Sequence, residues 1–234
     1  MKANVHVDTA RLMREIRDEF DVHHFVETGT NVGETAEWAS EQFVHVSTIE
    51  LDRDLYEEAT NTRGHIENID FIHGTSQEEL EHVLPDIDGQ AVVHLDAHCG
   101  GKWAASAGET LEQSDLDVCP VLDELAILAD HNTAHFLFID DARVFTAPRR
   151  RPFDMDAWPD IQTLMRAIEE IDPAYHVIIY KDEVIAVPPD GRQFVRERIR
   201  DYRSVERTLL VRIKLKVMNT VWKYASLSGP TRDC

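Results

Sequence analysis

Apolar positions along this chain recur in two rhythms that take turns. Leu12, Ile16 and Phe20 stand at helical spacing between Asp8 and Phe20, with Asp8 or Thr9 placed to cap the helix. His24 to Gly29 then reads as a strand, and Glu34 to Phe43 as the helix it feeds. The pair repeats as strand His45 to Leu51 with helix Asp54 to Arg63, and as strand Ile69 to His73 with helix Gln77 to Leu84, stopped by Pro85. Ala91 to Leu95 and His135 to Ile139 are near-continuous apolar runs, the pattern of strands buried on both faces. A helix from Val121 to Ala129, preceded by Pro120, joins them. Ile161 to Ile171 is helical again, and Tyr175 to Tyr180 and Val184 to Val187 read as a hairpin joined through Lys181-Asp182-Glu183.

Strand and helix in alternation, closed by a hairpin, predict an α/β fold. It is a Rossmann-like, doubly wound, mostly parallel sheet with a C-terminal antiparallel hairpin strand. Ligands of such sheets bind outside the carboxyl ends of the strands. Two segments stand outside this plan. Cys99 to Val118 is long, follows a strand end and is rich in Gly, Ala and Ser, which fits either a lid or a disordered loop. Val205 to Tyr224 places Leu210, Ile213, Val217, Val221 and Tyr224 at helical spacing, yet Val211 to Val217 alternates like a strand.

Composition bounds the rest. A chain of 234 residues with 43% hydrophobic and 29% charged content fits one globular domain, taken here as residues 1–190, followed by an extension over 191–234. No apolar run approaches the ~20 residues of a membrane span. The polar, mixed-charge stretch Met1 to Arg17 predicts no secretory leader. Cys99, Cys119 and Cys234 lack CxxC spacing, which argues against a disulfide framework or a structural zinc. The expectation is a cytoplasmic protein.

Charge alters that picture. Asp and Glu number 44 against 24 Lys and Arg, a net −20 that repels nucleic-acid phosphates and so predicts no nucleic-acid partner. The surface reads as acidic and halophile-like, its self-repulsion screened by salt. Residues 191–234 reverse the sign, with 11 basic and 4 acidic side chains. Such a basic amphipathic tail suits peripheral contact with an anionic membrane at the cytoplasmic face. Its apolar stripe suits better the plainer alternative, packing on the domain or on a second subunit of an oligomer.

The chemistry concentrates at predicted strand ends. Glu27-Thr28-Gly29-Thr30-Asn31-Val32-Gly33 places two glycines where the backbone can pass close to a ligand. Glu50 ends the next strand, 21 residues beyond Gly29, near the ~20 that sets an acid on a ribose hydroxyl pair. The run lacks the middle glycine of GxGxxG, which disfavours a dinucleotide pyrophosphate. Leu95-Asp96-Ala97-His98 and Ile139-Asp140-Asp141-Ala142 each end a buried strand. Asp96, Asp140 and Asp141 would then converge at one edge of the crevice, where carboxylates need a neutralising partner. Hard oxygens around an open position suit Mg²⁺; a metal-free acidic pocket and helix caps are the alternatives.

Glu27 to Thr35 resembles the ExGxxxGxS/T first motif of class I S-adenosylmethionine-dependent O-methyltransferases. Ile49-Glu50-Leu51-Asp52 resembles their ribose motif, and Gly74-Thr75-Ser76-Gln77 the adenine-side turn of the catechol O-methyltransferase group. The resemblance implies S-adenosylmethionine as cofactor, with Glu27, Gly29 and Gly33 at its methionine end, Glu50 on the ribose, and Ser76 and Gln77 on the adenine. Metal-dependent catechol and sugar O-methyltransferases carry acids where Asp96, Asp140 and Asp141 stand.

The expected reaction is methylation of an oxygen, with His98 as candidate general base and Lys102 as the second candidate. Arg143 and the run Arg149-Arg150-Arg151 suit an anionic acceptor, and Trp103 and Trp158 an aromatic wall for a sugar or ring. The leading acceptor is a sugar or glycan intermediate, lipid-linked if the tail meets a membrane, methylated on a hydroxyl or a uronic-acid carboxylate. A small catechol-like or natural-product acceptor is the rival, and a non-catalytic cofactor-binding scaffold the other.

Overall fold

The computed structural model describes residues 6–98, 119–131, 133–147, 158–206 and 208. Its seven strands are β1 (His24–Thr28), β2 (His45–Glu50), β3 (Ile69–His73), β4 (Ala91–Leu95), β5 (Phe136–Ile139), β6 (His176–Tyr180) and β7 (Glu183–Val187). They form one sheet in the spatial order β3-β2-β1-β4-β5-β7-β6. The first five are parallel, and β7 enters antiparallel between β5 and β6. The chain winds outward from β1 on one side and from β4 on the other. The gap between their carboxyl ends is therefore the topological switch point, where such folds place ligands.

Among the described residues, six of the seven helices that accompany the sheet stand where the apolar spacing predicts them. The seven are α1 (Val7–Phe20), α2 (Glu34–Ser40), α3 (Arg53–Arg63), α4 (Ser76–Val83), α5 (Val121–Asp130), α6 (Ala142–Thr146) and α7 (Ile161–Ile171). Leu12, Met13 and Ile16 form the buried stripe of α1, whose amino end is capped by His6 rather than by Asp8 or Thr9. Val26, Val93, Leu95, Leu125, Leu137 and Ile168 belong to the core between the sheet and α4, α5 and α7. Pro85 sits in a short 3-10 turn, Leu84–Asp86, that follows α4.

Two local departures matter for the site. The connection from β6 to β7 is Lys181 and Asp182 alone, both at positive φ (53° and 71°), which matches the twist of a two-residue hairpin. Glu183, expected in the turn, is instead the first residue of β7 and is buried. After β5, Asp141 takes φ 60° and starts the short α6, which the apolar spacing did not announce.

The chain divides into two compact units, Met1–Arg192 and Gln193–Cys234. In the second, residues 193–206 are helical; the stretch 209–234, with most of the expected tail element, lies outside the described residues. Among the described residues, no helix is long and apolar enough to cross a membrane.

Candidate functional site

The crevice is built on the turn after β1. Gly29 and Thr30 donate their backbone N–H groups to the Ile49 carbonyl at 2.9 and 3.1 Å, tying the turn to the end of β2. Asn31 follows at φ 51° and Gly33 at φ 83°, so the backbone curls before α2 begins. Arg63 of α3 clamps the turn from outside, donating to the Val32 carbonyl at 2.6 Å and to the Glu37 carboxylate at 2.8 Å.

Glu50 faces this turn. Its Oε2 accepts the Asn31 N–H at 2.7 Å and its Oε1 the Asp52 N–H at 2.8 Å. Each oxygen keeps a further lone pair for a ligand donor. Burial raises the Glu50 pKa, against the lowering effect of those two backbone bonds. Gly74 donates to the Glu50 carbonyl at 3.0 Å, which brings the turn before α4 alongside. There Thr75 caps α4 and Ser76 is buried. Gly29, Gly33, Glu50, Ser76 and Gln77 thus line neighbouring turns at the carboxyl edge.

Glu27 lies deeper, 1% exposed, with Thr48 donating to its Oε2 at 2.7 Å. Its other oxygen is 3.9 Å from His94 Nδ1, and His94 Nε2 is 3.8 Å from Glu183 Oε1. These are ion-pair separations, longer than hydrogen bonds. Burial would lower the His94 pKa, but the two flanking carboxylates outweigh it and hold it well above the ordinary value. On the opposite face of the sheet, Glu124 of α5 is fully enclosed beside Ser76 and Thr28, and burial raises its pKa.

The acids beyond β4 and β5 form the other half. Asp140, Asp141 and Asp182 present oxygens within 4.8 Å of one another. Asp96 is not in that group; it meets the trio's Asp141 at His98, whose Nε2 is 3.7 Å from Asp96 and 3.5 Å from Asp141. Burial pushes the Asp96 pKa up to about 7, with the Asp140 charge adding to it and His94 and His98 opposing. Asp140 is raised too, by burial and then by Glu183. Burial also acts upward on Asp141, but His98 and Arg143 outweigh it and hold that group low. His98 itself is enclosed, its ring edge-on to Trp158 at 5.0 Å and to Phe145 at 6.1 Å. Burial would lower its pKa, yet Asp141 and Asp96 raise it.

Arg143 pairs with Asp141 and with Asp182, and its backbone N–H donates to Asp182 Oδ1 at 2.8 Å. It therefore serves the acidic mouth in this conformation rather than projecting away from it. Lys102, Trp103, Arg149, Arg150 and Arg151 lie outside the described residues.

Four residues of this constellation escape a reading of the sequence alone: Asp182, Glu183, His94 and Glu124. Two of them carried a signal. His94 interrupts the apolar run of β4, and Glu124 sits on the otherwise apolar start of α5.

Solved structures share this architecture. The S-adenosylhomocysteine-bound methyltransferase of Podospora anserina aligns at a TM-score of 0.51, covering 76% of this chain and 76% of its own at 15% identity. The O-methyltransferase of Bacillus cereus, in complex with S-adenosylhomocysteine, aligns at 0.51 over 80% of this chain and 82% of its own at 11% identity. At such identities the likeness is one of fold. No protein-family model matches the sequence, nor does any curated protein. The architecture is the class I S-adenosylmethionine-dependent methyltransferase fold, of the kind seen in O-methyltransferases.

Proposed function

We propose that this protein is an S-adenosylmethionine-dependent methyltransferase acting on an oxygen of a sugar or glycan intermediate. One observation carries the cofactor assignment. At the switch point of this fold, Glu50 is held by the Asn31 and Asp52 N–H groups beside the Gly29 turn, with acceptor capacity left over. That is the arrangement a vicinal diol of a ribose needs. In this reading Ser76 and Gln77 on the adjoining turn would meet the adenine, and Gly29 and Gly33 the methionine end, with Glu27 supporting the turn through Thr48 and Thr30.

The cofactor supplies a methyl group on a sulfonium. The acceptor oxygen forms the new C–O bond as the S–CH₃ bond breaks, and the hydroxyl proton must leave. We assign that proton to His98, whose Nε2 lies 3.7 Å from Asp96 and 3.5 Å from Asp141. Asp141 and Asp96 raise the basicity of that imidazole, while Trp158 and Phe145 keep water from it. Rate enhancement comes chiefly from alignment of the two reactants. A uronic-acid carboxylate as acceptor would dispense with the base.

The donor set also fits a divalent cation. Asp140, Asp141 and Asp182 offer hard oxygens within 4.8 Å of one another, the donor type a divalent cation takes. Mg²⁺ there would supply Lewis-acid polarisation of the acceptor oxygen.

Isothermal titration with S-adenosylmethionine and with NAD⁺ tests the cofactor: binding of the former alone is expected, and no binding of it ends the proposal. Mass spectrometry of glycans and metabolites from a deletion strain tests the acceptor, as loss of one methyl increment. A scaffold protein would bind the cofactor and leave every product unchanged.

A further inference from the structure

One charged row in the core takes no part in the methyl transfer itself. Glu27 on β1, His94 on β4 and Glu183 on β7 are 1%, 1% and 2% exposed. Glu27 and His94 are direct register partners across β1 and β4, and Thr48 is the partner of Glu27 on β2. His94 reaches past β5 to Glu183, which lies one step beyond the Ile139–Val184 pair, toward Asp140. Thr30 in the glycine turn joins the row at the other end, its hydroxyl 2.7 Å from that of Thr48. The row thus runs from the turn proposed to hold the cofactor to the hairpin that carries Asp182.

Stability does not explain it. Buried ion pairs recover little more than their desolvation, and apolar side chains of equal volume do as well or better. What such a row can do is fix the relative position of the elements it touches. Both imidazole nitrogens have a carboxylate at 3.8–3.9 Å and no hydrogen-bond partner. A small shift of either carboxylate therefore changes the field on the ring, and through it the placing of the other.

We infer that Glu27–His94–Glu183 is a positioning row which couples the cofactor turn to the acidic mouth, so that filling one site biases the other. The inference rests on the proposed cofactor reading. Coupling of this kind is reciprocal and spans about fivefold to a hundredfold in affinity. Glu183 is the informative position, because it lies across the sheet from the turn and separated from it by β4 and β5.

The test is S-adenosylmethionine affinity, by titration calorimetry, in the intact protein and in Glu183→Gln, Glu27→Gln and the double variant, each with its thermal midpoint. Glu183→Gln should weaken binding at least about fivefold. The double variant should bind no worse than the weaker single one, since either change already breaks the row. A Glu183→Gln protein that melts earlier but binds within twofold of the intact protein overturns the inference, as do effects that simply multiply. If the variants do not fold, hydrogen exchange on the intact protein decides. S-adenosylhomocysteine should then protect residues 181–184 as well as residues 29–33, and protection confined to the latter overturns the coupling. An intact protein that binds neither compound defeats the cofactor reading itself. One that binds while Glu183→Gln binds equally defeats only the coupling.

Discussion

Gly29 lies directly against the backbone of Asp96: a Cβ added at Gly29 would sit 2.3 Å from the Asp96 carbonyl oxygen. The ends of β1 and β4 therefore touch through main chain, at the point where the winding of the chain across the sheet reverses. Gly29 also holds φ +84°, a region that side chains disfavour. Gly29→Ala should destabilise the protein by about 2–4 kcal/mol, combining strain and overpacking. Cofactor binding should fall with it. Chemical denaturation with calorimetry checks this, and a variant with unchanged midpoint and affinity would show that the turn and β4 are not locked.

Glu50 separates recognition from folding. Glu50→Gln keeps one carbonyl oxygen but cannot accept at both positions, so one of the bonds from Asn31 and Asp52 is lost or weakened. Cofactor affinity should drop about tenfold, the cost of one charge-assisted hydrogen bond. Because burial raises the Glu50 pKa, its carboxylate protonates at a higher pH than an exposed one. Affinity in the unmodified protein should accordingly begin to fall, as pH is lowered, before ordinary carboxylates titrate. Glu50→Gln should lose that pH response. An affinity that falls identically in both proteins would place the titrating group elsewhere.

Local periodicity carried most of the architecture, because β4 and β5 are apolar runs and helices such as α1 and α5 show one buried stripe. Even the strand-end acids were legible, since a carboxylate after a run such as Phe136 to Ile139 has nowhere to go but the sheet edge. Asp182 and Glu183 were not. Their roles depend on a two-residue turn at positive φ that moves Glu183 into β7 and swings Asp182 toward Asp140 and Asp141. That Asp182 rather than Asp96 completes the trio is likewise tertiary, since Asp96 meets Asp141 only through His98 Nε2. Sequence spacing brings residues to an edge; it does not say which will stand close enough to share an ion.

That sharing is testable without turnover. Asp140, Asp141 and Asp182 carry the proposed cation, and Arg143 now neutralises two of them. Asp182→Asn should weaken Mn²⁺ binding, followed by electron paramagnetic resonance, by about tenfold or more. Arg143→Gln should act in the opposite direction, because removing a guanidinium leaves the trio more negative. Tighter binding in Asp182→Asn, or weaker binding in Arg143→Gln, would remove the divalent ion from this group.

Acid sensitivity should originate at the other edge of the sheet. His135, just ahead of β5, accepts the Ala91 N–H through Nδ1 at 3.0 Å, and its Nε2 faces His131 Nδ1 at 3.3 Å. Burial, with the His131 and His24 charges adding to it, lowers its pKa to about 4 from 6.5. A proton on Nδ1 would also cost the Ala91 bond its acceptor. The unfolded chain takes up a proton below pH 6.5 that the folded one refuses until near pH 4, so stability is complete above 6.5 and drains away as pH falls between those values. The loss amounts to roughly 3 kcal/mol across that window. His135→Asn retains an acceptor but does not titrate. The stability advantage of the unmodified protein over His135→Asn, from urea midpoints at a series of pH values, should therefore shrink as pH is lowered toward 4. A difference that stays constant with pH would assign the acid sensitivity to other groups.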